Sequence, residues 1–348
     1  MMPMSLIEGR GIGLHTHHWS QNPDKGRKEL RKDVEMMAEE NMNFIIAVAK
    51  PGFGEITTYY KSSIYPKSSY YKWDALEALI EESHSRGLEV HAMFCPFPGG
   101  KDNPTLRDHP ELCIVDRNGK RFNWADPAKP EVKRIELEAI LEVVNKYDVD
   151  GVYLDYIRYP GSNYCYCDYC VSRFREEYGV DPREIPSRSP LREKWDQWRR
   201  EQFTDFVKLV YDKVHEARPQ VKVSSYCWTC ASPYTVYQDW PAWARRGYLD
   251  FLVPTGYFYD MSVFRSVCQH DKLIVGGSVP IYIVIGVHTS HGRLKPGELA
   301  EQIKIVREEG LEGFVLFEWQ TVKTSFHEEV CSSCPEKAKL PHKTRSQQ

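Results

Sequence analysis

The feature that most constrains the fold is a regular alternation of short apolar runs with longer segments of helical periodicity. The runs are rich in Val, Ile and Phe and have the length of buried strands, whereas apolar residues in the segments between them recur at helical spacing. Eight strands alternating with helices are what a parallel (β/α)8 barrel requires. We predict strands over residues 11–16, 43–49, 88–94, 222–228, 251–257, 273–279 and 312–318, and a fourth strand within residues 150–160.

A doubly wound open sheet is the main alternative, because it also alternates strands with helices. Such a sheet normally carries a glycine-rich phosphate-binding turn after its first strand, and Gly9, Gly11 and Gly13 come too early and lack that spacing. We therefore predict an α/β protein with a single (β/α)8 TIM-barrel domain over residues 9–330 and long loops after strands three and four. A polar, flexible tail is expected over residues 331–348.

Length and charge limit the classes of function. A chain of 348 residues that is 41% hydrophobic can bury a large core. The net charge is −3, and no basic block indicates a nucleic-acid surface. We therefore do not expect nucleic acid as a partner. No stretch approaches the roughly 20 apolar residues of a membrane span, so we do not expect a membrane as a partner either. No signal peptide is visible, so we expect a cytoplasmic protein, or an exported one that has lost its leader.

The strand within residues 150–160 carries the first candidate catalytic residue. Val152 and Leu154 point to one side of this strand, and Tyr153 and Asp155 point to the other. A carboxylate that closes a buried strand is costly unless it is paired, hydrogen-bonded or solvated. In a parallel barrel the solvated end of the strands is where active sites lie. Asp155 is therefore either an active-site acid or a structural partner of Arg158.

The carboxyl ends of eight barrel strands would bring distant residues to one rim. Two carboxylates from different strands are the minimum for glycoside hydrolysis. We predict Asp155 as nucleophile or base and Glu318 as general acid, because the apolar run before Glu318 should raise the pKa of its carboxyl group. Asp260 is the reserve acid, although it and Asp126 precede helices, where an aspartate is more often an N-cap. The predicted substrate-binding residues are His15, His17, Lys50, His91, Arg158, Tyr226, Trp228, Tyr257, Tyr282 and Trp319.

Metal chemistry is a second possibility. His15 and His17 have the spacing of the histidine pair that opens the metal site of barrel amidohydrolases, but strands five and six supply no further histidine. A metal-dependent hydrolase that uses this pair is therefore an alternative only.

The cysteines are the other possible metal ligands. The ten cysteines are too dilute for a disulfide scaffold, although residues 165–170 are dense enough for a structural zinc or a redox-sensitive cluster, and Cys331 and Cys334 form a further pair. Residues 165–170 follow strand four, and Cys331 and Cys334 follow strand eight. These two strands lie across the barrel from each other, which argues against one metal site shared by both groups of cysteines. We expect neither metal nor cofactor.

Four stretches of the chain resemble one known family. Residues 126–132, 147–160, 238–240 and 313–317 are similar, in motif order, to the bacterial glycosyl-hydrolase-like barrel family that includes enzymes cutting denuded peptidoglycan glycan strands. The resemblance spans roughly residues 10–320, and its most specific part is the segment from Asp150 to Tyr156. It implies a TIM barrel that hydrolyses a glycosidic bond, with Asp155 at the acidic position of strand four. Some members carry a second acid directly after that aspartate, where this chain has Tyr156.

These observations predict a glycoside hydrolase that acts on an oligo- or polysaccharide. A non-catalytic carbohydrate-binding barrel is the competing class, because it would need the same aromatic residues without a close pair of carboxylates. The sequence leaves the sugar, the stereochemical course and the oligomeric state open.

Overall fold

Eight parallel strands close into a barrel in the computed structural model, which describes residues 6–15, 17–100 and 103–344, without the side chains of residues 343 and 344. Each strand pairs with its neighbours in chain order, and the last pairs with the first. The predicted (β/α)8 fold is confirmed. The barrel strands are β1 Gly9–Gly13, β2 Phe44–Lys50, β3 Glu89–Phe94, β4 Gly151–Leu154, β5 Lys222–Cys227, β6 Phe251–Gly256, β7 Tyr282–Gly286 and β8 Gly313–Phe317.

The helices connect the strands, and side chains cap several of their N-termini. Asn22, Asp74 and Ser189 each accept a hydrogen bond from a backbone N–H in the first turn of the helix that follows. No helix in the described part of the chain is long and apolar enough to cross a membrane. The helices are α1 Pro23–Glu39, α2 Ala75–His84, α3 Pro104–Asp108, α4 Pro130–Lys146, α5 Asp168–Tyr178, α6 Pro190–Ala217, α7 Ser232–Thr235, α8 Trp240–Arg245, α9 Met261–Val275, α10 Glu298–Glu308, α11 Trp319–Ser325, α12 His327–Ser333 and α13 Pro341–Thr344.

The prediction of strand seven is wrong. Residues 273–279 contain the end of α9 and the turn after it, and Leu273 is 78% exposed. The apolar run belongs to an amphipathic helix whose buried face includes Phe264 and Cys268. Gly276, with a φ of +61°, ends this helix in the left-handed conformation that glycine adopts most readily. The actual strand, β7, follows directly.

Two antiparallel hairpins extend the loops that follow barrel strands. The first, which we call the β3 hairpin, pairs Cys113–Val115 with Arg121–Ala125 in the loop between β3 and α4. The second, the β7 hairpin, pairs His288–Thr289 with Gly292–Arg293 after β7. Both lie between the carboxyl end of a strand and the next long helix, so they are positioned to shape the rim of the barrel.

The C-terminal segment closes the opposite end of the barrel. Lys339 donates its N–H to the carbonyl of Leu6 at 2.8 Å and accepts from the N–H of Glu8 at 3.0 Å. The buried His342 lies with its Nε2 2.8 Å from Oε2 of Glu89 at the start of β3. The segment expected to be a flexible tail is packed as far as residue 342, because Leu340 and His342 are buried among the side chains at this end of the barrel. The domain limits stay a prediction.

Candidate active site

A cavity of about 870 Å³ opens at the carboxyl ends of the strands. Ile46, Tyr153 and Val315 point into the barrel and form its floor, and the loops after the strands form its walls. Its volume lies in the range of small-molecule binding sites, and active sites of TIM barrels lie at this end. The predicted site residues that line the cavity are His15, Asp155, Arg158, Tyr226, Trp228, Tyr257 and Glu318.

Two hydrogen bonds to backbone groups, one on β3 and one on the next residue, hold Asp155 at the end of β4. Its N–H donates to the carbonyl of Phe94 at 2.8 Å, and its Oδ1 accepts from the N–H of Tyr156 at 2.6 Å. Tyr156 has a φ of +54°, an uncommon conformation for a bulky residue. Burial raises the pKa of Asp155 to about 6, although the Tyr156 N–H and the charge of Arg158 act in the opposite direction. This carboxyl group can therefore hold a proton close to neutral pH.

Glu318 also lines the cavity, but it is held as the N-cap of α11. Its Oε1 accepts from the N–H of Thr321 at 3.0 Å and from the Thr321 hydroxyl at 2.6 Å, and its Oε2 accepts from the N–H of Gln320 at 2.9 Å. Burial acts to raise the pKa of Glu318, but these hydrogen bonds outweigh it and lower the pKa. The predicted raised pKa is therefore wrong, because the first turn of α11 stabilises the ionised carboxylate.

Arg158 forms a cationic and aromatic wall beside Asp155. Its guanidinium carbon lies 4.3 Å from the ring centroid of Trp228, 5.0 Å from that of Tyr156 and 5.7 Å from that of Trp124. Such cation–π contacts stabilise a planar guanidinium next to the rings. The wall therefore combines hydrogen-bond donors with flat apolar faces.

Gln238 holds the part of this wall that follows β5. Its Oε1 accepts from the N–H of Trp228 at 2.7 Å, and its Nε2 donates to the carbonyl of Tyr226 at 3.0 Å. Gln238 itself is completely buried, and the two hydrogen bonds fix the backbone on either side of Cys227. Gln238 therefore positions two cavity residues and does not itself line the cavity.

Three predicted binding residues lie away from the cavity because of where they fall along their strands. A register shift between Val48 and Lys50 turns Lys50 outward, and its Nζ lies 2.8 Å from Oε2 of Glu136 on α4. His91 and Tyr282 lie in the N-terminal halves of β3 and β7, so they face the closed end of the barrel. Neither reaches the rim.

Three further predicted residues also lie outside the cavity, where they make other contacts. Asp260 is exposed and caps α9, accepting from the N–H groups of Ser262 and Val263 at 2.9 and 3.0 Å. Trp319 is completely buried at the start of α11. His17 faces a smaller neighbouring pocket, with its Nε2 2.9 Å from the hydroxyl of Tyr59.

Several residues that line the cavity are not among those predicted from the sequence. His288 and His291 come from the β7 hairpin, which the misplaced strand seven concealed. The apolar run of residues 281–287 directly before them was the available signal. Phe53 is 59% exposed and lies 4.9 Å from the ring of Tyr156, so it presents an aromatic face at the cavity. Its position between two glycines in a loop could have indicated this role.

The histidines of strand one do not form a metal site with other described residues. His15 packs against Phe317 with 4.9 Å between the ring centroids. Within residues 6–15, 17–100 and 103–344, the groups of three or more close His, Cys, Asp or Glu ligand atoms include neither His15 nor His17. The metal-hydrolase alternative therefore lacks its ligand set in this part of the chain.

Comparisons with known proteins relate the chain to one family. The family model described as glycosyl hydrolase-like 10 matches residues 8–289. Glycosyl hydrolase YngK of Bacillus subtilis is 26% identical over 287 residues, which are 70% of this chain and 50% of that protein. Glycosyl hydrolase DigH of Escherichia coli K12 is 27% identical over 234 residues, which are 58% of this chain and 49% of that protein. The chain thus spans about half the length of these curated relatives.

Solved structures show the same fold. The glycoside hydrolase domain of PgaB (BpsB) from Bordetella bronchiseptica superposes with a TM-score of 0.77 at 14% identity, covering 94% of this chain and 99% of that one. A beta-galactosidase from Bacillus circulans sp. alkalophilus superposes with a TM-score of 0.67 at 13% identity, covering 90% and 50%. At these identities the likeness establishes the barrel fold alone.

Proposed function

Because this chain belongs to the glycosyl hydrolase-like 10 family, we propose that it hydrolyses glycosidic bonds of an oligo- or polysaccharide with Asp155 and Glu318 as its carboxylate pair. The observation that carries this proposal is that the two carboxylates line one cavity and that their surroundings shift their pKa values in opposite directions. Such a separation of pKa values is how a site obtains one acid and one base from two carboxyl groups.

The pKa directions support one assignment of the two roles. Asp155, with a pKa of about 6, is the general acid that gives its proton to the glycosidic oxygen as the bond from that oxygen to the anomeric carbon breaks. Glu318 is ionised and either attacks the anomeric carbon or takes a proton from the attacking water. These roles are the reverse of those predicted from the sequence, because the N-cap hydrogen bonds of Glu318 favour its charged form.

The walls of the cavity suit a carbohydrate substrate. Trp228, Tyr257 and Phe53 offer aromatic faces against which the apolar face of a sugar ring can pack. Arg158 and the histidines of the β7 hairpin offer donors for hydroxyl or carboxylate oxygens.

A non-catalytic carbohydrate-binding barrel is the second candidate function. Both oxygens of Glu318 are engaged by the first turn of α11, as expected for a residue whose only role is to cap a helix. A binding protein would keep the aromatic walls and would not need Glu318 to react.

The assignment is tested with Asp155→Asn on two kinds of substrate. On glycans that wild type cleaves, found with a glycan library, we expect the rate to fall roughly 10²–10⁴-fold, because an alkoxide leaves poorly without a proton. On a matching dinitrophenyl glycoside, whose leaving group needs no proton, we expect a much smaller loss. Glu318→Gln should lose activity on both substrates.

Asp260→Asn is the matched control, because it changes an exposed helix cap outside the cavity and should retain wild-type rates. Full glycan hydrolysis by Asp155→Asn would refute the role of Asp155. If the wild type binds glycans but hydrolyses none of them, the chain is instead a non-catalytic carbohydrate-binding barrel.

A further inference from the structure

Four buried ligand groups meet behind the cavity wall, where the loop after β4 passes the β3 hairpin. All their ligand atoms lie within 4.8 Å of one another. None of the four residues is more than 7% exposed. The glycosidase chemistry proposed above makes no use of them. We call this group the cysteine cluster; it consists of Asp126, Cys165, Cys167 and Cys170.

Hydrogen bonding alone does not account for this arrangement. The three sulfur atoms lie 3.1, 3.1 and 3.2 Å from one oxygen, Oδ2 of Asp126. A carboxylate oxygen offers about two lone-pair sites, so three thiol donors on one oxygen exceed its capacity. Oδ1 of Asp126 accepts from the N–H of Ala128 at 3.0 Å, which fixes Oδ2 toward the cysteines. Three sulfurs and one oxygen that converge on one point form a ligand set for a cation.

The ligand types and spacing select zinc. Zinc binds four ligands tetrahedrally in structural sites, and bond lengths of about 2.3 Å to sulfur and about 2.0 Å to oxygen place these atoms roughly 3.5 Å apart. The observed distances of 3.1–3.2 Å from oxygen to sulfur need only a small expansion to admit the ion. Harder cations such as Mg²⁺ and Ca²⁺ prefer ligand sets made of oxygen alone.

Backbone donors already surround the sulfur atoms. The N–H groups of Val115 and Cys167 point to Sγ of Cys165 at 3.4 and 3.5 Å, and the N–H of Cys170 points to Sγ of Cys167 at 3.5 Å. The last of these lies in the first turn of α5, where the helix dipole favours negative charge. Such outer hydrogen bonds orient and stabilise metal-bound thiolates.

Two other groups of close ligand atoms in the described part of the chain are explained without a metal. His327 pairs with Glu40 at 2.6 Å, and the neighbouring Cys331 is partly exposed. Glu89 forms ordinary hydrogen-bonded pairs with His91 and His342 at 3.1 and 2.8 Å. Each group has three ligand atoms, one fewer than a closed structural zinc site requires.

We propose that the cysteine cluster binds one structural Zn²⁺ ion, which ties the loop after β4 to the β3 hairpin. Binding releases the three thiol protons to solvent and leaves three thiolates and one carboxylate on the ion. The two tied segments build the cavity wall, because Tyr156 of the loop packs against Trp124 of the hairpin with 6.0 Å between ring centroids. The ion therefore holds the wall in place and takes no part in the hydrolysis.

The test measures metal in the full chain, purified under reducing conditions, incubated with Zn²⁺ and gel-filtered. We expect about one tightly held zinc per chain in wild type and about one equivalent less in the Cys165→Ser/Cys167→Ser double variant. Cys113→Ser is the matched control, because Cys113 is buried in the β3 hairpin but is not a ligand. It should keep the zinc content of wild type, and so should Asp126→Cys, which completes a four-cysteine set.

A second measurement removes the dependence on variants that could fail to fold. Wild type loaded with Co²⁺ in place of Zn²⁺ should show the intense visible absorption of a tetrahedral cobalt–thiolate site, and added Zn²⁺ should abolish it. Wild type that holds no zinc and gives no such spectrum would overturn the proposal. A disulfide among the three cysteines, iron in place of zinc, or an unchanged zinc content in the double variant would also overturn it.

Discussion

At the scale of single residues, Asp155 and Glu318 are both carboxylates at the ends of barrel strands, yet their immediate neighbours give them opposite properties. Asp155 receives one backbone N–H and is otherwise desolvated, so its pKa rises to about 6. Glu318 receives three donors from the first turn of α11, so its pKa falls. The positions of both acids could be predicted from strand ends. The donors around Glu318 could not, because they depend on where α11 begins.

The pH dependence of catalysis follows from the surroundings of Asp155. As a general acid it must be protonated, so kcat/KM should fall as the pH rises through about 6. The Arg158 charge favours the carboxylate, so Arg158→Gln should raise the pKa of Asp155 further and move the alkaline limb to higher pH. The limb is read from kcat/KM against pH on one glycan.

Arg158→Lys is the control for charge, because it keeps the positive charge and should leave the alkaline limb close to that of wild type. A loss of activity on the acid side of pH 6, in place of the alkaline side, would mean that Asp155 acts in its ionised form.

At the scale of elements, α9 and β7 show how a local pattern can mislead. The run at residues 273–279 is apolar and glycine-rich, as a buried strand before a turn would be. The period of Phe264, Cys268 and Val275 is helical, and it extends further along the chain than the run itself. The longer, helical pattern determines the structure of this segment, because burying one helix face against the barrel outweighs the strand propensity of a short run.

A substitution at the end of α9 tests this boundary. Gly276→Ala should lower the free energy of unfolding by about 1–2 kcal/mol, because alanine strongly disfavours a φ of +61°. Urea denaturation measures the change. Gly161→Ala is the matched control: an added Cβ meets open space at both positions, but Gly161 lies outside the positive-φ region and should tolerate alanine. Equal losses at the two glycines would contradict the helix end described here.

At the scale of the whole molecule, the barrel separates a reactive end from a closed end. The cavity lies at the carboxyl ends of the strands, whereas Glu89, His91, Tyr282 and His342 are buried together at the other end. His342 joins the last described segment to both halves of the barrel: its Nε2 lies 2.8 Å from Oε2 of Glu89 on β3, and its Nδ1 lies 2.9 Å from the hydroxyl of Tyr282 on β7. We therefore expect that substitutions at the closed end change stability without changing the chemistry.

Removing His342 should weaken the fold without changing the chemistry. His342→Ala takes partners from the buried Glu89 and Tyr282 and should lower the free energy of unfolding by roughly 2–4 kcal/mol. Below the temperature of unfolding, kcat should stay at its wild-type value, because the cavity lies at the other end. Thermal unfolding and glycan hydrolysis measure the two effects. Lys337→Ala is the control, because Lys337 is exposed in the same segment; it should change neither the stability nor kcat. A lower kcat in His342→Ala would contradict the separation of the closed end from the reactive end.

The sequence by itself determined the barrel and the acid at the end of β4, because strand and helix periods and strand ends are local patterns. Only the tertiary structure decided which end of the barrel His91 and Tyr282 face, and a single register shift was enough to turn Lys50 outward. Only folding brought Asp126 to cysteines 39–44 residues away. Contacts of this kind depend on how loops cross in space, and no local pattern of residues contains that information.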